Sequence, residues 1–367
     1  MKKHRKTKVV IIVISSVLLG LILLYFGGSV IATSIICNYL FGSREPDIET
    51  VLKDPQRYYQ ILKTRDDYSL LSSREEPTFK HGKYNLQGYL YECSNPKGLI
   101  ISCHGVSSFA DSDHAEYQNY FLNQGWDIFS FDMPGCGRSE GDKMYGLYES
   151  RFAVESAIRY VKTNDKIKNL PLCLIGHSWG AYGAVTSSEI DEKIHAIAAI
   201  SGYNAPNEMM VGAARIKYWD GLIIGKPGLD FALSILDGNK AFFKASSEIK
   251  KHEDISYYII HGEKDDIVPF KGYSQYSKVV NINLNNVKTL SLSNYKHSGI
   301  WRSEAANTYY EIKKNELDAL YKQYNKNIPD DVYSDFIASV DKDKSSELNL
   351  TLLDDINNLF TQSIAND

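Results

Sequence analysis

The stretch LCLIGHSWG occupies residues 172–180. Its first four residues form a short apolar run typical of a buried strand, and the segment that follows, 179–189, has the length and composition of a helix. Gly176, Ser178 and Gly180 form the pattern G-x-S-x-G, which places a serine at a tight turn between strand and helix. Glycine is expected on both sides because a Cβ atom there would collide with the neighbouring strand or helix. Ser178 is therefore a candidate nucleophile.

Short apolar runs alternate with helix-length segments on both sides of this stretch. Strands that alternate with helices indicate a mostly parallel sheet with helices on both faces, and thus an α/β fold. Two further β-like runs lie between residues 78 and 91 and bring the predicted strands to eight. The other predicted strands are residues 98–103, 126–131, 172–175, 194–200, 257–260 and 287–292, and the clearest helical segments are 114–123, 148–163 and 179–189.

The overall charge is nearly balanced, with 41 Lys and Arg residues against 45 Asp and Glu residues in a chain of 367. A nucleic-acid-binding domain usually carries a strongly basic total or patch, so no nucleic-acid partner is expected. Charged residues at 23% and apolar residues at 43% are ordinary for a globular protein and exclude bulk disorder. The cysteines form no C-x-x-C pair, and Cys103 and Cys173 lie in strand-like runs, which indicates buried free thiols.

The first 43 residues form a distinct segment. Residues 9–43 contain no charged side chain, and five basic residues precede them. As a helix, residues 9–26 alone would span about 27 Å, close to the ~30 Å hydrocarbon core of a bilayer. We predict a single anchor over residues 1–43 in the cell membrane, with its basic end in the cytoplasm and the rest of the chain outside. The alternative is a secretory signal cleaved near Ala32, against which the continued apolar sequence counts.

A second motif, HGVSS, covers residues 104–108 and follows the predicted strand 98–103 directly. Gly105 gives the backbone the freedom to aim an amide into a site, and the N–H of Val106 would then face the N–H of Trp179. Two converging backbone amides form an oxyanion hole, in which each donor contributes about 3–4 kcal/mol to transition-state stabilisation. The alternative is an ordinary glycine-containing turn between a strand and a helix.

Three further loops follow predicted strands. FDMPGCGRSEG, residues 131–141, is dense in Gly and Pro, and we interpret it as a structural loop in which Asp132 and Arg138 hold the turn. HGEKDDIVP, residues 261–269, offers two adjacent carboxylates, and YKHSG, residues 295–299, offers a histidine. Side chains at the carboxyl ends of parallel strands meet at one edge of a sheet, which favours a shared site there.

The set HGVSS, DMPGCGRSEG, GHSWG, HGEKDDIVP and KHSG resembles the motifs of the α/β-hydrolase superfamily, in the same order along the chain. Within that superfamily the chain is similar to the serine hydrolases grouped with monoacylglycerol lipases, bacterial carboxylesterases and serine aminopeptidase-like enzymes. The similarity covers roughly residues 78–321. The resemblance implies the α/β-hydrolase fold, with a mostly parallel eight-stranded sheet, and a Ser-His-Asp triad.

In this fold the nucleophile precedes the acid, and the acid precedes the base. Of the nine histidines only His297 lies after Asp265, and it follows a late predicted strand from which a base could reach Ser178. The family pattern G-x-x-D-x-x-V-P implies that the acid is Asp265 rather than Asp266. The expected catalytic residues are Ser178, Asp265 and His297, and the expected oxyanion and substrate-binding residues are Gly105, Val106 and Trp179.

This triad predicts a serine hydrolase that cleaves carboxylic esters, acylglycerol-like or other small acyl esters, through an acyl-enzyme. The mechanism needs no metal or organic cofactor. A serine peptidase of the aminopeptidase-like kind and an acyltransferase are alternatives on the same triad, and a non-catalytic binding relic of the fold is a third. A peptidase would need a carboxylate to receive a peptide amino group, for which Glu208, Asp220 and Asp230 are candidates. The complete triad counts against a relic.

The hydrolase domain is predicted over residues 78–324, with other segments flanking or interrupting it. Residues 44–77 are interpreted as a stalk or packing arm. Residues 203–250 are too long for a simple crossover and carry many apolar side chains, so we expect a helical lid that favours acyl esters of moderate size. Residues 325–367 are expected to form helices that dock on the domain. The sequence does not indicate an oligomeric state.

Overall fold

Eight strands form one sheet at the centre of the protein. The computed structural model describes residues 2–45, 60–110, 112–190, 192–217 and 225–365. The strands are β1 (Thr78–His81), β2 (Tyr84–Tyr91), β3 (Gly98–Cys103), β4 (Trp126–Phe131), β5 (Leu172–His177), β6 (Ala196–Ile200), β7 (Ser256–Gly262) and β8 (Val287–Leu292). Their order across the sheet is β1-β2-β4-β3-β5-β6-β7-β8. Strand β2 pairs antiparallel with β1 and β4, and all other neighbours are parallel, which confirms the predicted sheet.

Helices connect the strands and lie on both faces of the sheet. They are α1 (Lys2–Phe41), α2 (Ala115–Asn123), α3 (Glu149–Thr163), α4 (Trp179–Thr186), α5 (Pro206–Lys217), α6 (Lys226–Leu236), α7 (Ala245–Lys251), α8 (Gln275–Val279), α9 (Glu304–Gln323), α10 (Asp330–Ala338), α11 (Lys342–Ser345) and α12 (Leu350–Ala365). This arrangement confirms the predicted α/β-hydrolase architecture.

The central strands are buried on both faces, which is why their sequences are almost continuously apolar. In β3, Leu99, Ile101 and Cys103 face one hydrophobic core, and Ile100 faces the other. Side chains of α3 and α4 complete the first core, and those of α2 and α12 complete the second. The side chains that α12 buries there are Leu352, Leu353, Ile356 and Phe360. The C-terminal helix is thus part of the packing of the sheet.

Several element boundaries differ from those predicted, and two of them lie on the elements that flank Ser178. Strand β5 extends past residue 175 to His177, because Gly176 and His177 continue the pairing with β6 although they are not apolar. Helix α4 ends at Thr186, and a 3-10 turn covers Ser187–Glu189. The hydroxyl of Ser187 donates to the carbonyl of Ala184. Such side-chain bonds to the backbone compete with regular helical hydrogen bonding.

Helix α1 is 40 residues long. Its segment Lys6–Phe41 is long and apolar enough to cross a membrane, and the most apolar part of that segment is not buried. At Tyr25 and Phe26, α1 packs against α6. The rings of Phe26 and Phe231 lie 4.8 Å apart, and the amide of Gly228 donates to the Tyr25 hydroxyl at 3.1 Å. Residues 46–59 of the predicted stalk lie outside the described residues.

The segment between β6 and β7 contains α5, α6, a 3-10 turn at Gly238–Phe242 and α7. Residues 218–224, with the candidate Asp220, lie outside the described part of the chain. Within the described part, Met209 is buried, whereas Phe231 and Ile235 keep exposed apolar side chains. All cysteines are free thiols, and Cys103, Cys136 and Cys173 are buried.

Candidate active site

Ser178 lies at the turn from β5 into α4. Its backbone has φ 56° and ψ −113°, a strained conformation for a residue with a side chain. A Cβ atom at Gly180 would overlap the carbonyl oxygen of Cys103, and one at Gly176 would overlap the Gly180 carbonyl. The absence of both side chains lets the strand, the turn and the helix approach closely. Ser178 therefore lies at the carboxyl end of β5 in a backbone conformation that belongs to neither the strand nor the helix.

The side chains of Ser178, His297 and Asp265 form a continuous hydrogen-bonded chain. Nε2 of His297 lies 2.8 Å from the Ser178 Oγ, and Nδ1 of His297 lies 3.0 and 2.9 Å from the two carboxylate oxygens of Asp265. All three residues are buried. Because a carboxylate accepts, Nδ1 carries the proton and Nε2 is free to accept the hydroxyl proton of the serine. Residues 119 and 32 positions apart are thus brought together.

Asp265 receives donors from several directions. Its Oδ1 accepts the backbone N–H groups of Ile267 at 2.9 Å and Val268 at 2.8 Å, and its Oδ2 lies 3.0 Å from Nε2 of His261. Burial alone would raise the pKa of Asp265, but the hydrogen bonds from His261 and His297 outweigh it and hold the pKa well below the usual value. The carboxylate therefore stays ionised. Asp266 is exposed and lines a surface cavity that His297 also borders.

The loop that carries His297 is held through its main chain. The His297 carbonyl accepts from Nε2 of His177 at 2.9 Å and from the hydroxyl of Ser201 at 3.1 Å. Burial, followed by the neighbouring His297, lowers the pKa of His177 to about 3, so His177 is neutral. The imidazole of His177 therefore positions the loop and carries no charge beside His297.

The HGVSS loop lies directly against Ser178. A Cβ atom at Gly105 would lie 3.4 Å from that of Ser178 and 3.3 Å from Nδ1 of His177, so glycine permits this approach. The Gly105 carbonyl accepts from Nδ1 of His104 at 2.7 Å, while Nε2 of His104 accepts the Met133 amide at 2.9 Å. Burial lowers the pKa of His104 to about 4, which keeps the ring neutral and able to make both bonds.

The two candidate oxyanion donors are the backbone amide of Val106, in the loop after β3, and that of Trp179, at the start of α4. In a trans peptide the C=O and N–H groups point in opposite directions, so the bond from His104 to the Gly105 carbonyl turns the Val106 N–H away from His104. No acceptor for that amide is present among the residues that the structure describes. Trp179 is the first residue of α4, where an amide has no acceptor within the helix. Its indole N–H donates to the Leu147 carbonyl at 2.9 Å, which fixes the side chain.

The loop 131–141 has the structural contacts expected of it. The Asp132 carboxylate accepts from the Tyr89 hydroxyl at 2.8 Å and from the backbone amides of Ala110 and Arg138 at 3.2 and 3.0 Å. The guanidinium of Arg138 pairs with Glu76 at 2.6 Å. Neither Asp132 nor Arg138 contacts the Ser178 side chain in these hydrogen bonds. Both hold the turn that supports His104 through Met133.

Three histidines around the site were not singled out from the sequence. His104, His177 and His261 lie at the carboxyl ends of the parallel strands β3, β5 and β7, of which β3 and β5 are adjacent and β6 separates β5 from β7. Their shared signal is a histidine beside a glycine where an apolar run ends. His104 donates to the Gly105 carbonyl, His177 donates to the His297 carbonyl, and His261 contacts the Asp265 carboxylate. The sequence motifs indicated the candidate reacting residues but not these supporting contacts.

A cavity of about 310 Å³ lies between the C-terminal end of α1, the lid and the loop 143–148. Its apolar wall includes Phe41, Leu147, Met210 and Leu233. Leu147, which borders this cavity, also accepts a hydrogen bond at its carbonyl from the indole of Trp179, the residue that follows Ser178. Of the candidate peptide-binding carboxylates, Glu208 accepts from Asn204 and faces Lys278, and Asp230 accepts from Asn207 and pairs with Lys226.

The comparisons with known proteins agree with this architecture. A family model described as alpha/beta hydrolase fold matches residues 98–222. Caffeoylshikimate esterase of Arabidopsis thaliana is 32% identical over 108 residues, covering 29% of this chain and 32% of that protein. Lysophosphatidylserine lipase ABHD12 of Danio rerio is 26% identical over 225 residues, covering 58% and 56%, so the chain spans about a third to about half of the length of these relatives.

Among solved structures, an esterase of Pyrococcus furiosus superposes with a TM-score of 0.50 at 18% identity, covering 71% of this chain and 95% of the esterase. At that identity the likeness concerns the fold. The sheet order, the strained serine turn and the family match agree with one another. This chain has the α/β-hydrolase fold, and its residues 98–222 match the family model of that fold.

Proposed function

We propose that the chain is a serine hydrolase that cleaves carboxylic esters through a covalent acyl-enzyme. The observation that carries the proposal is the chain of hydrogen bonds from Ser178 through His297 to Asp265. Ser178 attacks the ester carbonyl while His297 takes its proton, and Asp265 stabilises the imidazolium. The imidazolium then protonates the leaving alcohol, and water activated by the same imidazole releases the acid.

The amides of Val106 and Trp179 are proposed to receive the negative charge that develops on the carbonyl oxygen. Donors of this kind act where charge appears in the transition state and are worth about 3–4 kcal/mol each. Gly105 leaves room for the carbonyl beside Ser178. The mechanism uses no metal or organic cofactor, because the charge is met by backbone amides and the proton by an imidazole.

An ester substrate with a moderately sized acyl group is the best match. The apolar wall of the 310 Å³ cavity is suited to an acyl chain, and two relatives are named as an esterase and a lipase. A peptidase would need a free carboxylate for a peptide amino group, but the two candidates in the described part of the chain, Glu208 and Asp230, each already face a lysine. This pairing favours ester over peptide cleavage. An acyltransferase would need a second substrate that accepts the acyl group in place of water.

We further propose that α1 anchors the enzyme in the cell membrane, with residues 44–367 outside the cytoplasm. Support comes from the exposed apolar surface of α1 and from the basic residues that precede it. Protease added to intact cells or spheroplasts is expected to degrade the domain. Complete protection of the domain in spheroplasts would rule out this orientation.

A fluorophosphonate probe tests the chemistry directly. Ser178→Ala is expected to abolish labelling and ester turnover while unfolding stability changes by less than about 1 kcal/mol, because one hydroxyl is lost. His297→Ala is expected to lower kcat by at least ~10³-fold through loss of the base. His252→Ala is the matched control, since His252 is partly buried and pairs with Glu248 rather than with Ser178 or Asp265. Loss of activity in His252→Ala but not in His297→Ala would reject the proposed triad. Turnover of a panel of aminoacyl amides, compared with that of esters, distinguishes a peptidase from an esterase.

A further inference from the structure

The segment that leaves α1 is bonded to the loops around the site. We define it as the brace, residues 42–45. The Glu45 amide donates to the Gly135 carbonyl at 2.9 Å. The Arg44 guanidinium donates to the carbonyls of Ser139 at 2.6 Å and Gly141 at 3.0 Å, and also to Gly137. An arginine that satisfies three backbone carbonyls of one loop holds the shape of that loop.

The brace also reaches the candidate oxyanion loop. The hydroxyl of Ser107 donates to Oε1 of Glu45 at 2.8 Å, across 62 residues of sequence. Ser107 directly follows Val106 and has φ 57°, a left-handed conformation that residues with side chains rarely adopt. Such a conformation persists where surrounding contacts hold it. Glu45 is therefore one of the contacts that keep the backbone beside the Val106 amide in place.

The same loop is held from its buried side. His104 bonds to the Gly105 carbonyl and accepts the amide of Met133, which belongs to the loop that the brace supports. The Val106 amide thus lies between a buried contact from His104 and an outer contact from Glu45. Both contacts act on backbone orientation, which is what an oxyanion donor depends on.

We infer that the brace is a positioning element of the active site, in which Glu45 orients the oxyanion loop through Ser107. The inference rests on the proposed function and goes beyond it, because the segment that joins the anchor to the domain then contributes to turnover as well as to location. If the segment were only a tether, changes at Glu45 would leave the chemistry of a water-soluble ester unchanged.

The test uses the full-length protein in detergent micelles with a short p-nitrophenyl ester. Glu45→Ala and Ser107→Ala are each expected to lower kcat by about three- to tenfold with KM nearly unchanged, as expected for loss of one charge-assisted hydrogen bond at a partly exposed position. Glu45→Gln keeps an acceptor oxygen and is expected to retain most of the activity. Glu253→Ala, an exposed carboxylate remote from these contacts, is the matched control and is expected to equal the wild type.

The double variant and an inhibitor identify the cause. Glu45→Ala combined with Ser107→Ala is expected to be no worse than either single variant, because both remove the same contact. Binding of a trifluoromethyl ketone, whose hemiketal oxyanion uses the same donors, is expected to weaken by the same factor as kcat/KM. Should Glu45→Ala fail to fold, Ser107→Ala decides the question, since the Ser107 side chain is exposed.

Wild-type kcat in both Glu45→Ala and Ser107→Ala, or additive losses in the double variant, would overturn the inference. Ser178→Ala measured in the same series separates this outcome from failure of the proposed function. An inactive Ser178→Ala beside fully active Glu45 and Ser107 variants rejects the brace alone. An active Ser178→Ala rejects the serine mechanism itself, and the inference with it.

Discussion

Nε2 of His261 lies 3.0 Å from Oδ2 of Asp265, and neither side chain is exposed to solvent. The same nitrogen lies 3.1 Å from the Val268 carbonyl, so it carries the proton and donates to both oxygens. Asp265 therefore accepts from two imidazoles, one on each side. A carboxylate held in this way keeps its orientation toward His297, since rotating it would break the buried bond to His261.

We expect His261→Phe to lower kcat about tenfold without a comparable change in KM, because the acid loses a donor that fixes its orientation. Phenylalanine fills the ring volume without placing a new polar group in the core. His261→Gln is the matched control, since its amide can donate to Asp265 and is expected to restore part of the loss. Steady-state kinetics on a soluble ester measure both, and a fully active His261→Phe would refute a positioning role.

The architecture could be predicted from the sequence because its determinants are local. Buried parallel strands have almost continuously apolar sequences, which can be recognised locally. Gly176 and Gly180 indicate a tight turn between the strand and the helix that flank Ser178. The proposed assignment of His297 used its order along the chain and its position after a late predicted strand. The lid residues 218–224 lie outside the described residues, so their predicted role is untested.

The supporting contacts could not be predicted because they depend on side chains that meet only in the folded chain. Glu45 and Ser107 are 62 residues apart, and nothing in their local sequence indicates that they touch. His104 and His177 look like ordinary polar residues at strand ends, and their neutral state follows from complete burial. Burial and hydrogen-bond partners of this kind are properties of the tertiary structure.

Gly180→Ala is expected to destabilise the fold. An added Cβ would overlap the Cys103 carbonyl oxygen and lie 2.7 Å from that of His104, and backbone at both places cannot yield cheaply. Overpacking of this kind costs about 1–3 kcal/mol or more. Gly225→Ala is the control: a Cβ there meets no atom of the described residues within 4 Å, and because Gly225 caps the N-terminus of α6, where Ala is less favourable than Gly, the expected loss is at most about 1 kcal/mol. Urea unfolding of both variants compares the costs, and equal stabilities would contradict the close approach of α4 to β3.

Stability should fall as the pH decreases below 7, in part because of His104. Its pKa is lowered by burial to about 4 in the folded protein, whereas the unfolded chain has a value near 6.5. Between these values the unfolded state binds a proton that the folded state does not, so acidification favours unfolding. The contribution amounts to about 2 kcal/mol between pH 7 and pH 5.

His104→Gln removes this titration. It is expected to lower stability at pH 7, because the contacts to Gly105 and Met133 are altered, but to flatten the decline toward pH 5. His177, whose pKa burial lowers to about 3, contributes a decline of the same sign that remains in the variant. Urea unfolding at the two pH values gives the slope, and an unchanged slope in His104→Gln would show that this ring is not held neutral.

Adjacent Asp265 and Asp266 allow the sharpest test of the proposed acid. The Asp265 carboxylate is buried and lies 2.9 Å from Nδ1 of His297, whereas Asp266 is exposed at the surface cavity. Asp265→Asn would keep the shape of the side chain but present an amide to Nδ1, which favours the wrong tautomer of His297 and is expected to cost ~10³–10⁴-fold in kcat. Asp266→Asn is the matched control, with the same chemical change one residue away, and should cost about tenfold at most because only turn stability is affected.

The two variants are compared by kcat on one soluble ester and by their rates of fluorophosphonate labelling. A large loss in Asp266→Asn with an active Asp265→Asn would transfer the role of the acid to Asp266, because the residue whose carboxylate orients the imidazole must be the one whose neutralisation removes the activity.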